Sequence, residues 1–271
     1  MTTILVARAH AHPLVIGAAR VVVGAAVLVL AARALAGGLT IARADRLRCL
    51  LMGLSMAAFQ AAYFTAVTLT GIAITALLAI CSAPLMIAAL AAVFLGERLT
   101  PRVGVALALG VVGTALLLVG PRTAADLSPR FVAGVALALA AGLAYALYVV
   151  LGKAALERSA PLPLAAANFA IAALVMLPAL ALPQAGSQLA MGWPWLLYLG
   201  VVTTAGAYAL YTRGLRHVSA STAGIASLLE PLTATALGVF VFGERLGAAG
   251  AVGAVLMLGA FGLLAAGERR G

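Results

Sequence analysis

Glu230 is the residue whose setting most demands a chemical explanation. It stands near the middle of an apolar run over residues 218–242, and it is the only acidic side chain well inside such a run. A charge at that depth in an apolar medium is expensive, so it faces a cavity or a partner. A carboxyl group held there can take up and release a proton, the chemistry of a proton-linked switch. The bland alternative is a carboxyl that hydrogen-bonds a neighbouring helix beside the backbone freed by Pro231. Thr222, Ala226, Ser227, Thr233 and Ala234 fall near the same helical face, small and polar enough to border a cavity.

Arg20 lies inside the run 13–37. Two readings stay open for it: a side chain snorkelling to the interface, or a partner for Glu230 or for a substrate carboxylate. Asn168 takes nearly the same place in the later run 162–182 and could exchange hydrogen bonds in a cavity. Gln60, Tyr63, Tyr145, Tyr148, Tyr208 and Tyr211 are further cavity or gate candidates, although each type serves as often in helix packing. Pro84 and Pro231 sit in mid-run, where proline removes one helical hydrogen bond and kinks the chain. Carbonyls freed at that depth are tolerated only beside protein or water, so both prolines are expected to shape a cavity rather than react.

Gly96-Glu97-Arg98 and Gly243-Glu244-Arg245 close their runs. Their expected work is topological: a glycine helix end, then charges that stay among the headgroups. There is no Walker loop, no HExxH and no nucleophile with a base at motif spacing. Cys49 and Cys81 belong to no metal or disulfide pattern. No enzyme activity, no ATP-driven pump, no cofactor and no metal site is therefore expected.

These residues must be held by elements that live in lipid. The chain is 65% hydrophobic and 9% charged, against roughly 25% charged in a soluble domain. The net charge of +10 comes from arginines scattered between apolar runs rather than gathered on a face, which excludes nucleic acid as the partner. Continuous apolar runs cover residues 13–37, 49–70, 72–95, 103–120, 131–151, 162–182, 193–211, 218–242 and 247–266. Each approaches the ~20 residues that cross a bilayer, so nine helical spans are expected and alternating strands are not. With the loop after the first run placed inside, twelve of the 17 Lys and Arg fall on the cytoplasmic side and four outside, with Arg20 in a span. That asymmetry puts the C-terminus in the cytoplasm. Trp193 and Trp195 are expected to anchor a span at the interface.

The chain also repeats itself. Pro84–Leu99 and Pro231–Leu246 align without a gap and share both the Pro-Leu pair and Gly-Glu-Arg-Leu. The implied units are residues 1–122, with four spans, and 128–271, with five. An odd number of spans per unit inverts one copy relative to the other, the plan of many secondary transporters.

On Pro84 and Pro231, the Leu229-Glu230-Pro231 triplet, the two closing motifs Phe94–Leu99 and Phe242–Leu246, and the stretch from His12-Pro13 to Arg20, the chain resembles the EamA-type transporters of the drug/metabolite transporter superfamily. The resemblance covers essentially the whole sequence. It implies an all-α membrane bundle of ten helices in two inverted five-helix repeats, a central cavity, and export of amino acids or other small metabolites. The expected setting is the cell inner (plasma) membrane, the expected partners are a small-molecule substrate and the bilayer, and a homodimer stays open. The first helix of the first repeat is absent from the pattern, because the offset puts Met1 opposite Tyr148. An apolar helix encoded upstream of Met1 is accordingly expected; a truncated or decayed non-transporting membrane protein is the alternative.

Overall fold

Inside a bilayer a backbone must satisfy its own polar groups, and the helix does so within a single run. The computed structural model describes residues 12–118, 128–183, 185–233, 236 and 247–268, and among them there is no strand. The first four helices are α1 (Pro13–Ala36), α2 (Arg46–Thr70), α3 (Ile72–Phe94) and α4 (Pro101–Leu118). Next come α5 (Pro129–Ala155) and α6 (Pro161–Met176). Then follow α7 (Ala185–Gly200), a π-helical stretch Val201–Gly206, and α8 (Ala207–Leu215). The last two are α9 (Ala220–Ala226) and α10 (Ala248–Glu268). Proline opens α1, α4, α5 and α6, where its missing N–H is no loss. Ser128 and Ser219 accept hydrogen bonds at the starts of α5 and α9.

Five stretches are long and apolar enough to cross a membrane: Pro13–Ala36, Arg43–Thr70, Ile74–Phe94, Pro129–Ala155 and Pro161–Ala181. Shorter apolar helices cover Pro101–Leu116 and Ala248–Leu263. Two runs differ from the sequence reading. The run placed at 193–211 starts at Ala185, because Gly186, Ser187 and Gln188 dilute the hydropathy without ending the helix. The run at 218–242 is not one helix: it breaks into turn at residues 227–228 and resumes over 229–233. The cause is Pro231, which cannot donate to the Ser227 carbonyl. Glu230 N–H reaches that carbonyl instead at 3.2 Å, and Leu228 N–H reaches Ile225 O at 3.0 Å, both in tight three-residue steps. Pro84, by contrast, stays inside an unbroken α3.

The core is built of small residues that bring helices close. Ala18, Val21, Ala25, Leu28 and Ala32 of α1, Met52 and Met56 of α2, Ala146 and Val149 of α5, and Leu164 and Phe169 of α6 form its main cluster. At Gly53 a Cβ atom would stand 2.6 Å from Ile171 and 2.8 Å from the Asn168 carbonyl, so α2 meets α6 backbone to side chain. Gly113 does the same for α4 against α10, with Gly253 O 2.7 Å from where its Cβ would be. Outward, the exposed large apolar side chains are mostly leucines, valines and aromatics, including Trp193 at 60% and Trp195 at 45%. Water would penalise so much apolar surface; lipid does not.

The end of the bundle where α1 meets α2, α3 meets α4, α5 meets α6 and α8 meets α9 is tied by polar contacts between distant segments. Asp45, fully buried, accepts from Arg48 at 2.7 Å and from Ser159 Oγ at 3.0 Å. Lys153 Nζ donates to the carbonyls of Leu215 and Arg216, both at 3.2 Å, a cation set against the C-terminus of α8.

Candidate functional site

Between the helices lies a cavity of about 350 Å³. One wall is α2, whose Phe59, Gln60 and Tyr63 share a face at one-turn spacing, and another is α3 with Ala83, Pro84 and Ile87. Arg20 enters from α1, Tyr145 from α5 and Tyr208 from α8. The broken helix brings Gly224, Ser227 and Glu230. Pro13, Val67 and Ile72 also line it, and they lie at the end opposite the polar ties. The space thus runs from that end toward the middle of the bundle.

Arg20, Gln60, Tyr63, Tyr208 and Glu230, scattered over 211 positions of sequence, therefore share one cavity, with Pro84 in its wall. The Nε of Arg20 and the Nε2 of Gln60 are buried and meet no protein acceptor. Buried donors without partners are costly unless something else accepts from them, and both residues line the cavity. Arg20 and Glu230 do not pair directly: the ion pair found among the described residues is Arg48–Asp45.

The aromatic side chains form a connected stack. Phe59 contacts Tyr63 and Tyr145, with ring centroids 5.7 and 5.6 Å apart. Tyr145 stacks on Tyr148 at 6.3 Å, and Tyr208 meets Tyr148, Phe169 and Tyr211. Tyr145 and Ser227 hydroxyls lie 3.4 Å apart, joining the stack to the broken helix. Tyr148 and Tyr211 stand behind the cavity wall rather than in it.

Other sequence candidates sit elsewhere. Asn168 does not line the cavity. It is fully buried at the α2–α6 contact, and its Nδ2 donates to Leu164 O at 2.6 Å one turn back in its own helix. Depth in a span is what the comparison with Arg20 offered, and depth does not say which way a side chain turns. Pro231 is buried just beyond Glu230, outside the lining. Gly96 has φ 66°, the left-handed turn that ends α3 and that favours glycine. Glu97 does more than mark a headgroup boundary: its carboxylate accepts from Ala220 N–H at 2.6 Å, Ser221 N–H at 3.1 Å and Ser221 Oγ at 2.7 Å. Arg98 is exposed. Gly243, Glu244 and Arg245 lie outside the described residues. Phe59 was missed by the sequence reading, although its one-turn spacing from Tyr63 was a usable signal.

Fold and cavity define a polytopic helical membrane protein with a mixed-charge pocket between its helices. The model of the EamA-like transporter family matches residues 1–119 and 132–266, and the chain belongs to that family. It is similar to the uncharacterized transporter YwfM of Bacillus subtilis (strain 168), 34% identical over 261 residues, covering 92% of this chain and 82% of that protein. An uncharacterized transporter of Archaeoglobus fulgidus is 33% identical over 211 residues, covering 77% and 73%. A solved crystal structure shares the fold with a TM-score of 0.76 at 22% identity, over 96% of this chain and 90% of the other.

Proposed function

We propose that this chain is a secondary transporter that exports amino acids or other small metabolites through the central cavity by alternating access. The observation that carries this reading is the presence, in one cavity of about 350 Å³, of Arg20 and Glu230 together with the unpartnered Gln60 Nε2 and the aromatic walls. A guanidinium takes a carboxylate in two hydrogen bonds. A carboxylate across the space takes an ammonium group, and the aromatic wall takes an apolar side chain. The volume suits one small solute. The arginine asymmetry supports an inner-membrane protein with a cytoplasmic C-terminus. The recurring Pro-Leu and Gly-Glu-Arg-Leu motifs support two inverted repeats, 1–122 and 128–271.

Proteoliposomes test this directly. Preloaded with a mixture of unlabelled amino acids, they should accumulate a labelled member of the mixture by counterflow, saturably and with competition. Labelled solute no higher than in protein-free liposomes, across amino acids and their small derivatives, would remove the proposal.

A further inference from the structure

Between the cavity and the polar-tied end stands α9, a helix of 7 residues with an articulation at each end, whose Gly224 lines the cavity. At its C-terminal end lies the turn at 227–228, where the hydrogen-bond ladder breaks ahead of Pro231. Its N-terminal end is held by one side chain from the other half of the chain. Glu97 accepts three hydrogen bonds there, from Ala220 N–H, Ser221 N–H and Ser221 Oγ, across 123 and 124 positions of sequence. Ser221 is 3% exposed and Glu97 half-buried, so this contact is partly shielded from water. Gly224 and Ser227 of the same short segment line the cavity. The element is thus a two-turn helix with the cavity lining near one end and the Glu97 contact at the other.

We infer that Glu97 is the latch of an inner gate: its carboxylate pins the N-terminus of α9 and keeps the cavity shut toward the arginine-rich end while the cavity extends to the opposite end. A carboxylate suits this role because it matches both the free N–H groups and the positive end of the helix. Such charge-assisted bonds hold firmly when shielded but involve no covalent or packed interlock, so they can be released as a unit. The turn at 227–228 supplies the hinge about which α9 swings once freed. Ser227 and Glu230, on and just past that hinge, carry the movement into the cavity lining. Lys153 on the Leu215 and Arg216 carbonyls steadies the preceding helix, so that the freed motion falls on α9. This inference rests on the alternating-access reading.

Its test needs no substrate, so its failure is separate from failure of the transport assay. Cys49 and Cys81 are the free cysteines of the described residues, and both are replaced by alanine. Two single reporters are then compared: Ala223→Cys on α9, at a site 5% exposed, and Ala83→Cys in the cavity wall, at a site 6% exposed. A membrane-impermeant charged methanethiosulfonate is applied to sealed vesicles of either orientation. Adding Glu97→Gln should raise the modification rate at the Ala223 reporter from the arginine-rich face about tenfold, and lower it at the Ala83 reporter from the opposite face. Ser221→Ala, which removes one of the three bonds, should move both rates the same way but less, and serves if the Gln variant fails to fold. Unchanged rates in the folded variants would overturn the latch. So would a rise at both reporters, which would mean general loosening rather than exchange of one opening for the other.

Discussion

At the scale of single residues, the cavity lining gathers charged and polar side chains apart from those buried in helix packing. Gln60 is 1% exposed yet its Nε2 meets no protein acceptor. Gln60→Leu should therefore leave thermal stability in detergent unchanged or slightly improved, since it removes a desolvated amide. It should weaken substrate affinity by about tenfold, the worth of one well-made hydrogen bond to a charged group; a drop in stability with affinity intact would reverse the assignment. Glu230→Gln keeps shape but cannot gain or lose a proton. It should abolish gradient-driven transport while the protein still elutes as a folded species, and an unchanged pH profile of transport would exclude proton coupling through this side chain. Arg20 and Glu230 line the cavity, and the sequence pointed at both because a charge deep in an apolar run needs a cavity, a partner or a reach to the interface. Asn168 lies outside the lining, its Nδ2 spent on its own helix at Leu164 O and its Oδ1 buried without a partner.

At the scale of elements, close approach is carried by glycine. Gly53→Ala would drive a methyl group against Ile171 and the Asn168 carbonyl, the latter a backbone atom that cannot swing aside. It should lower stability by about 1–3 kcal/mol, whereas Gly104→Ala, with nothing within 4 Å of the new atom, should be neutral or mildly stabilising through helix propensity. Paired melting curves of the two variants decide this. Helix positions were readable because lipid requires uninterrupted apolar runs. Helix faces were less so, because these runs are apolar nearly all round and periodicity carries little signal. The break at 227–228 could be suspected from Pro231, yet Pro84 sits in an unbroken helix, so proline alone does not decide between a kink and a break. The Glu97 contact had no local signature at all: its partners lie 123 and 124 residues downstream.

At the scale of the whole molecule, one end of the bundle is drawn together by Asp45, Lys153 and Glu97, and the cavity extends to the other. The proposed orientation, drawn from the arginine asymmetry, puts the tied end in the cytoplasm. A reporter enzyme active only in the cytoplasm, fused after Gly271, should be active, and one active only outside should be silent; the reverse result would invert the topology.

The exposed tryptophans of α7 have an optical consequence. The chain contains two tryptophans, and both lie on one helix, away from the cavity lining. Long-wavelength fluorescence of this 271-residue chain therefore comes from two exposed side chains outside the cavity lining. Lipids brominated along their chains should quench that emission strongly, at a depth that reads out how α7 sits in the bilayer, while solute entering the pocket should leave the spectrum nearly still. The centre of the molecule is optically dark at that wavelength, so one tryptophan introduced at Tyr208 would report on it against a background that is entirely peripheral.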